Sequence, residues 1–263
     1  MKKTKIVSSA VFFVCMSLFF NSCLTVNAKK IVEAPYVPSP ALSSEKVEVE
    51  KLAKIYFGDK LFVKVDGDFS EWNNLEGVHT RQMVYGGSFD SSNADGLFKS
   101  FTDGVNLYVY AEIKDNDAGV NTYEAPQAWR GDSVEFFFGT ECGKHSSYKD
   151  SDVRVRIIPH SKENNFDVGI GMNDSEVNSS DINVCCVYND SGYQIEGVFP
   201  LSLLGGKNLK LNQKARMDFQ INDADNGKER TGLLHWNSPY DNTYADPSSW
   251  GDAKVVALDS EEE

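Results

Sequence analysis

The chain has 263 residues, 41% of them apolar and 25% charged, and its 39 acidic against 26 basic side chains give a formal charge of −13. That surplus excludes nucleic acid as a partner, because neutralising phosphates takes clustered Lys and Arg, and it excludes electrostatic attachment to an anionic bilayer. It suits calcium or neutral partners, and equally a plain solvated acidic surface.

Residues 1–23 begin with Lys2, Lys3 and Lys5, continue as the apolar IVSSAVFFVCMSLFF and reach Asn21-Ser22-Cys23. A basic start, an apolar stretch and small residues before a cysteine predict an export signal. The stretch, about fifteen residues, is short for a membrane helix, which needs about 20. Its closing cysteine resembles a bacterial lipoprotein signal. The resemblance implies that Cys23 carries the lipid and anchors the mature protein to a membrane of the cell envelope; ordinary cleavage nearby, after Ala28, is the alternative. Residues 24–55 hold three of the eight prolines, at 35, 38 and 40, with serines and charges behind them, and read as an extended tether. VEVEKLAKIYF, at its end, fits either a short strand or a helix.

From residue 56 to 258 the pattern is uniform. LFVKVDGDFSEW, NLYVYAEIKDND, SVEFFFG, DVRVRIIP, NNFDVGIG, INVCCVYND, GYQIEGVFP, ARMDFQIND and AKVVAL are short runs rich in β-branched and aromatic residues, bounded by Gly, Pro, Asn or Asp. Only PLSLLGGK looks helical, for a single turn. Such a series predicts one all-β domain, a sandwich or barrel. DSEEE, residues 259–263, reads as a frayed acidic tail. Cys142, Cys185 and Cys186 remain once Cys15 leaves with the signal and Cys23 takes the lipid. A disulfide from Cys142 to one of the adjacent pair fits an oxidising compartment, although neighbours on a strand point to opposite faces. No Cys/His spacing suggests zinc.

Period two puts Val134, Phe136 and Phe138 on one face of their strand, and Glu135 with Phe137 on the other. Arg154 and Arg156 likewise share a face, as do Asp218, Gln220 and Asn222. An amphipathic sheet facing water explains any one of these strands as well as a ligand site does. Trp129, Trp236 and Trp250, however, stand in loops or at strand ends rather than in the apolar alternation. LLHWNSPYDNTYADPSSWGD sets two tryptophans and two tyrosines among Asn, Asp, Ser and Pro. Aromatic faces beside carboxylate, amide and guanidinium groups suit a sugar, which offers C–H faces for stacking and a rim of hydroxyls. A rim of aromatic loops over a sandwich core has the same composition.

VDGDFSEW, LYVYAEIKDND, WRGDSVEFFFG, GYQIEGVFPLSLLG, MDFQINDAD and the closing Trp-rich segment occur in this order. Together, over about residues 60 to 258, they resemble a family 9 carbohydrate-binding module, within the wider group of DOMON-like β-sandwiches. The resemblance implies a β-sandwich of two antiparallel sheets that binds mono- or oligosaccharides without catalysis, the sugar held between two tryptophans. Trp129 matches the first tryptophan, and Trp236 the second, with Trp250 in reserve. Glu135 matches a carboxylate that bonds sugar hydroxyls, Arg156 a basic partner and Gln220 an amide. The family also implies structural calcium, with Asp66 and Asp68 of VDGDFSEW as ligand candidates, although turn chemistry accounts for the same residues. GGSFDSSNADGLFKS is an insertion relative to the pattern, and such modules usually ride on a glycoside hydrolase.

Glycoside hydrolysis needs two carboxylates about 5–10 Å apart, a condition that 39 acidic residues meet somewhere by chance. No G-x-S-x-G or H-E-x-x-H string is present, and the expectation is a protein that is not an enzyme. Two other readings stay open. DOMON-like sandwiches include haem binders that use Met and His, for which His79 with Met83, or His235 with Met217, are the available pairs. A surface lipoprotein that grips a host or envelope protein through its aromatic loops is the other, with Arg130-Gly131-Asp132 as an adhesion tripeptide.

Overall fold

The computed structural model describes residues 50–60, 62–161, 165–170, 175–176, 182–225 and 227–258. The signal of residues 1–23 with Cys23, the tether up to residue 49 and the tail of residues 259–263 lie outside the described residues. Fourteen strands are present among the described ones: β1 (Leu52–Phe57), β2 (Val78–His79), β3 (Gln82–Tyr85), β4 (Ala94–Thr102), β5 (Asn106–Asp115), β6 (Ser133–Gly139), β7 (Asp152–Ser161), β8 (Asn165–Ile170), β9 (Ser175–Glu176), β10 (Asn183–Asn189), β11 (Gly192–Pro200), β12 (Lys214–Asp223), β13 (Gly232–His235) and β14 (Gly251–Ala257). The run left open as strand or helix is β1, so the sheet takes in the last four residues assigned to the tether. PLSLLGGK supplies one 3-10 turn, Leu201–Leu203.

The strands form a sandwich. One layer runs β10-β11-β5-β4, with β2 on the edge of β4, and the other runs β14-β12-β6-β7-β8-β9, with β13 and β3 continuing from the far half of β12. β1 joins the layers, pairing with β14 along its length and with β4 over Ile55–Phe57. Both of those pairings are parallel, a departure from an all-antiparallel sandwich; every other pairing among the described strands is antiparallel.

Strand parity dictates the core. Val134, Phe136 and Phe138 of β6, Val153, Val155 and Ile157 of β7, and Met217, Phe219 and Ile221 of β12 all point between the layers. Phe98 stacks on Phe219 with centroids 4.6 Å apart, and Phe136 meets Phe199 edge-on at 5.1 Å, which zips one layer to the other. Each such ring contributes about 1.5–3 kcal/mol by leaving water. A second apolar cluster of Tyr56, Val63, Trp72, Leu75, Phe101, Tyr108 and Tyr110 covers the outer face of the first layer.

The segment DGDFSEW holds that cover in place. Gly67 sits at φ +86°, open to glycine at no steric cost, and lets the N–H groups of Asp66 and Gly67 both donate to Glu196 Oε1 at 2.7 Å. Trp72 Nε1 donates to the other oxygen of the same buried carboxylate at 3.2 Å.

Candidate binding site

The polar face of the second layer does not meet water. Glu135 is 1% exposed, Arg156 2% and Asp218 0%, because the 3-10 helix Ala125–Arg130 and the 236–250 segment fold over β6, β7 and β12. Burying ions costs several kcal/mol unless they are paired and hydrogen-bonded, so the side chains here are chosen to satisfy one another.

Adjacent registers set Gln220 opposite Glu135 and Glu135 opposite Arg156, one row across three strands. The structure thus brings together three of the residues expected from the sequence. Glu135 Oε1 accepts from Arg156 Nε at 2.9 Å, Gln220 Nε2 at 3.0 Å and Asn222 Nδ2 at 2.8 Å. Oε2 accepts no hydrogen bond, and its neighbour is Arg154 Nε at 3.6 Å. Burial works against the ionised form of Glu135, but the charges of Arg156 and Arg154 and the Asn222 and Arg156 hydrogen bonds outweigh it, and the carboxyl is held below the usual glutamate range. The result is an ionised acceptor with one oxygen saturated and the other ion-paired to Arg154 but without a hydrogen bond. Arg156 Nη1 also donates to the Ala125 carbonyl at 3.1 Å, which ties the row to the helix carrying Trp129.

Trp129 is 38% exposed, at the end of that helix. The Arg230 guanidinium lies 5.1 Å from its ring centroid and 5.4 Å from that of Tyr85. Arg230 also donates to Asn222 Oδ1 at 3.2 Å and to Asp241 Oδ2 at 2.6 Å, so one side chain links the exposed ring to the buried row.

Trp236 and Trp250 are placed elsewhere. His235 pairs with Gln220 and shares its face, so Trp236, one residue on, turns into the inter-layer core, where it is 0% exposed and donates Nε1 to the Glu50 carbonyl at 2.8 Å. Trp250 is 2% exposed, packed against Phe137 and Tyr148, with Nε1 on the Thr243 carbonyl. Neither ring has a face to offer a ligand, and the pair of tryptophan walls expected from the sequence is not formed.

The other expected residues are placed as plainly. Asp66 and Asp68 are exposed turn residues: Asp66 Oδ1 accepts from the Asp68 N–H and Asp68 Oδ1 from the Ser70 N–H. Among the described residues, the acidic groups close enough to share a metal ion are instead Asp115, Asp117 and Asp223. Met217 faces the core while His235 is on the opposite face of the sheet, and Met83 is a core residue whereas His79 lies beside Asp95. Neither Met/His pair converges on one iron. Asp132 of the Arg-Gly-Asp string is buried, its carboxylate accepting from the N–H groups of Gly119 and Ala224, so the tripeptide is not displayed. Cys142, Cys185 and Cys186 are not in a disulfide, so the pairing of Cys142 that an oxidising compartment would allow is not formed.

A family model described as carbohydrate family 9 binding domain-like matches residues 65–258. The chain belongs to this family. The chain is 29% identical over 225 residues to the exoglucanase XynX of Acetivibrio thermocellus, and 26% identical over 195 residues to the endo-1,4-beta-xylanase A of Thermotoga neapolitana. Those alignments take 78% and 73% of this chain but only 18% and 17% of the relatives, so the chain spans less than a fifth of their length. A family 9 module of Caldicellulosiruptor kristjanssonii, solved in complex with cellotriose, superposes with a TM-score of 0.62 at 21% identity, over 81% of this chain and 97% of that one. A putative carbohydrate-binding protein of Bacteroides uniformis gives 0.53 at 11% identity, over 78% and 99%. At these identities the likeness is one of fold.

Sequence reasoning missed Arg230, Asp241 and Tyr85, which the structure groups beside Trp129 and the buried row. Arg230 and Asp241 sit in the loops 224–231 and 236–250, and only hairpin closure brings them over β12. Asn222 was within reach, since it shares the face of Gln220 two residues away.

Proposed function

We propose that the protein reversibly binds a mono- or oligosaccharide at the Trp129–Glu135 site, without catalysis. The observation that carries this reading is the buried, ionised Glu135, whose Oε2 accepts no hydrogen bond in a row already crowded with amide and guanidinium groups, and which Arg156 ties to the helix that carries the exposed Trp129. A sugar hydroxyl supplies the missing donor, and the ring supplies a stacking face. Arg156, Gln220 and Asn222 orient the carboxylate, and Arg230 lines the rim. The exposed Tyr85, which shares the Arg230 guanidinium with Trp129, is the candidate for a second ring, in place of Trp236 and Trp250.

Glu135 is held ionised by two arginines and is suited to accepting hydrogen bonds, not to donating a proton to a leaving group. The enzymatic names of the relatives belong to chains of which this one matches less than a fifth, and their catalysis is not carried over. Their names, with the cellotriose and glucose complexes of the structural neighbours, place xylose- and glucose-based saccharides first on a test panel. The test is a glycan array followed by titration calorimetry on the mature protein. Binding of at least one such saccharide is expected, and an array with no signal at any concentration up to about 10 mM sinks the reading; that limit corresponds to less than about 3 kcal/mol of binding free energy. The setting we propose is export, with a lipid on Cys23 and a proline-bearing tether holding the domain away from the membrane.

A further inference from the structure

Arg230 lies where a ligand of the site would lie. Its guanidinium is over the Trp129 ring, 5.1 Å from the centroid, and over the Tyr85 ring at 5.4 Å. Both distances are within the reach of about 6 Å that a cation–π contact allows. Trp129 and Tyr85 are exposed, whereas the Arg230 side chain keeps only 12% of its surface in water. Two rings that reach solvent are thus bridged by a cation that is largely withdrawn from it.

The guanidinium is held there by its edge. Nη2 donates to Asp241 Oδ2 at 2.6 Å and Nη1 to Asn222 Oδ1 at 3.2 Å. Asn222 Oδ1 also accepts from Gln220 Nε2 at 3.0 Å, so it keeps a donor if Arg230 leaves. Asp241 is the group that Arg230 serves, and a replacement has to bring it a hydrogen-bond donor. A flat group with its face on aromatic rings and its donors along the rim is the description of a bound pyranose as well as of this guanidinium.

The loop that carries Arg230 is fastened lightly. Arg130 Nε donates to Glu229 Oε2 at 3.1 Å, the Tyr123 hydroxyl donates to the Lys228 carbonyl, and the Arg130 guanidinium lies 4.9 Å over the Tyr123 ring. These contacts join the 224–231 loop to the 118–131 loop at the surface, where ion pairs contribute little and exchange with water.

We propose that Arg230 is a built-in occupant of the stacking slot of Trp129 and Tyr85, and that a saccharide binds by displacing it. The C–H face of the sugar takes the guanidinium's place on the rings, and a hydroxyl takes its place on Asp241. The proposal rests on the saccharide reading of this site and adds a gate to it. Apparent affinity is the intrinsic affinity scaled by the fraction of molecules in which the arginine has swung out, so a slot open about one time in ten binds about tenfold more weakly.

Two variants test the gate. Arg230→Ala removes the occupant. Arg230→Lys keeps a cation for Asp241 but loses the flat fork that stacks, so it stays informative if the Ala protein unfolds. Acrylamide quenching of the Trp129 emission, taken as the signal missing from Trp129→Phe, needs no saccharide. It is expected to rise about twofold in Arg230→Ala, and less in Arg230→Lys, as the ring loses its cover. Cellotriose titrated by calorimetry is expected to bind Arg230→Ala about tenfold more tightly than wild type, with Arg230→Lys between them. Binding seen only in the variants is the same result at its limit. Affinities at or below that of wild type, in variants whose melts show them folded, overturn the displacement, because an arginine that contacts the sugar or only shapes the loop gives that outcome. Unchanged quenching overturns the cover. If no saccharide binds any of the three proteins, the saccharide reading falls and takes the displacement with it, while the quenching decides the cover by itself.

Discussion

Glu135 is an anion in the interior held by Arg156 at 2.9 Å and Arg154 at 3.6 Å, and its removal takes the carboxylate from two buried guanidinium groups. Breaking a buried pair by deleting one partner costs about 3–5 kcal/mol. Glu135→Gln is therefore expected to lose that much stability in urea unfolding, and a loss below about 1 kcal/mol would show that water reaches the pair. His235 is the converse case, an uncharged group that must stay so. It is wholly buried, neither ring nitrogen has a hydrogen-bond partner, and burial pushes its pKa from 6.5 down to about 3 against the pull of Glu135. Between those two values the unfolded chain takes up a proton that the folded one refuses, so this group's contribution to stability falls as pH falls. His235→Phe removes that portion: the Tm of the variant relative to wild type should climb as pH drops from 7 to 4. A difference independent of pH contradicts the assignment. Residue parity made the faces of Glu135, Arg156 and Gln220 legible in the sequence; that they stand in one row is a matter of which strands neighbour which, and alternation alone carries no such information.

At the scale of elements, β13 decides what Trp236 is for. Leu233 and Leu234 are both buried, on opposite faces, so the run LLHW has no alternation from which to read the side Trp236 takes. Pairing with β12 settles it: Trp236 N donates to the Phe219 carbonyl at 2.9 Å and the ring goes between the layers. Trp236→Ala should accordingly behave as a core truncation, costing about 3–5 kcal/mol. A melt within 2 °C of wild type would show that the ring is not part of the core. β1 teaches a related lesson. LAKIYF scans as strand or helix, and its parallel pairing with both β14 and β4 depends on partners some 40 to 200 residues away, which local pattern does not encode.

For the molecule as a whole, the β-class was legible because nearly every segment is short, β-branched or aromatic, and closed by a turn former. The burial of the polar sheet face was not, since covering it takes loops from residues 118–131 and 224–250 whose sequences show no period. A site built on loops over a rigid sheet is the common arrangement for binding, with the scaffold fixing the floor and the loops setting the ligand. The export and anchoring reading belongs to this scale as well. Metabolic labelling with a fatty acid should mark the wild-type protein and leave Cys23→Ser unlabelled; label on the Cys23→Ser protein, or none on wild type, contradicts a lipid at that cysteine.

The central claim is that one exposed tryptophan and the free oxygen of a buried glutamate hold a saccharide. Titration calorimetry of wild type and Trp129→Ala with cellotriose, both in excess calcium, tests it most directly. Loss of a stacking face should cost at least tenfold in affinity, about 1.4 kcal/mol, while the melt of this 38%-exposed position moves by less than about 2 °C. Equal affinity of the two proteins for the sugar would contradict the account.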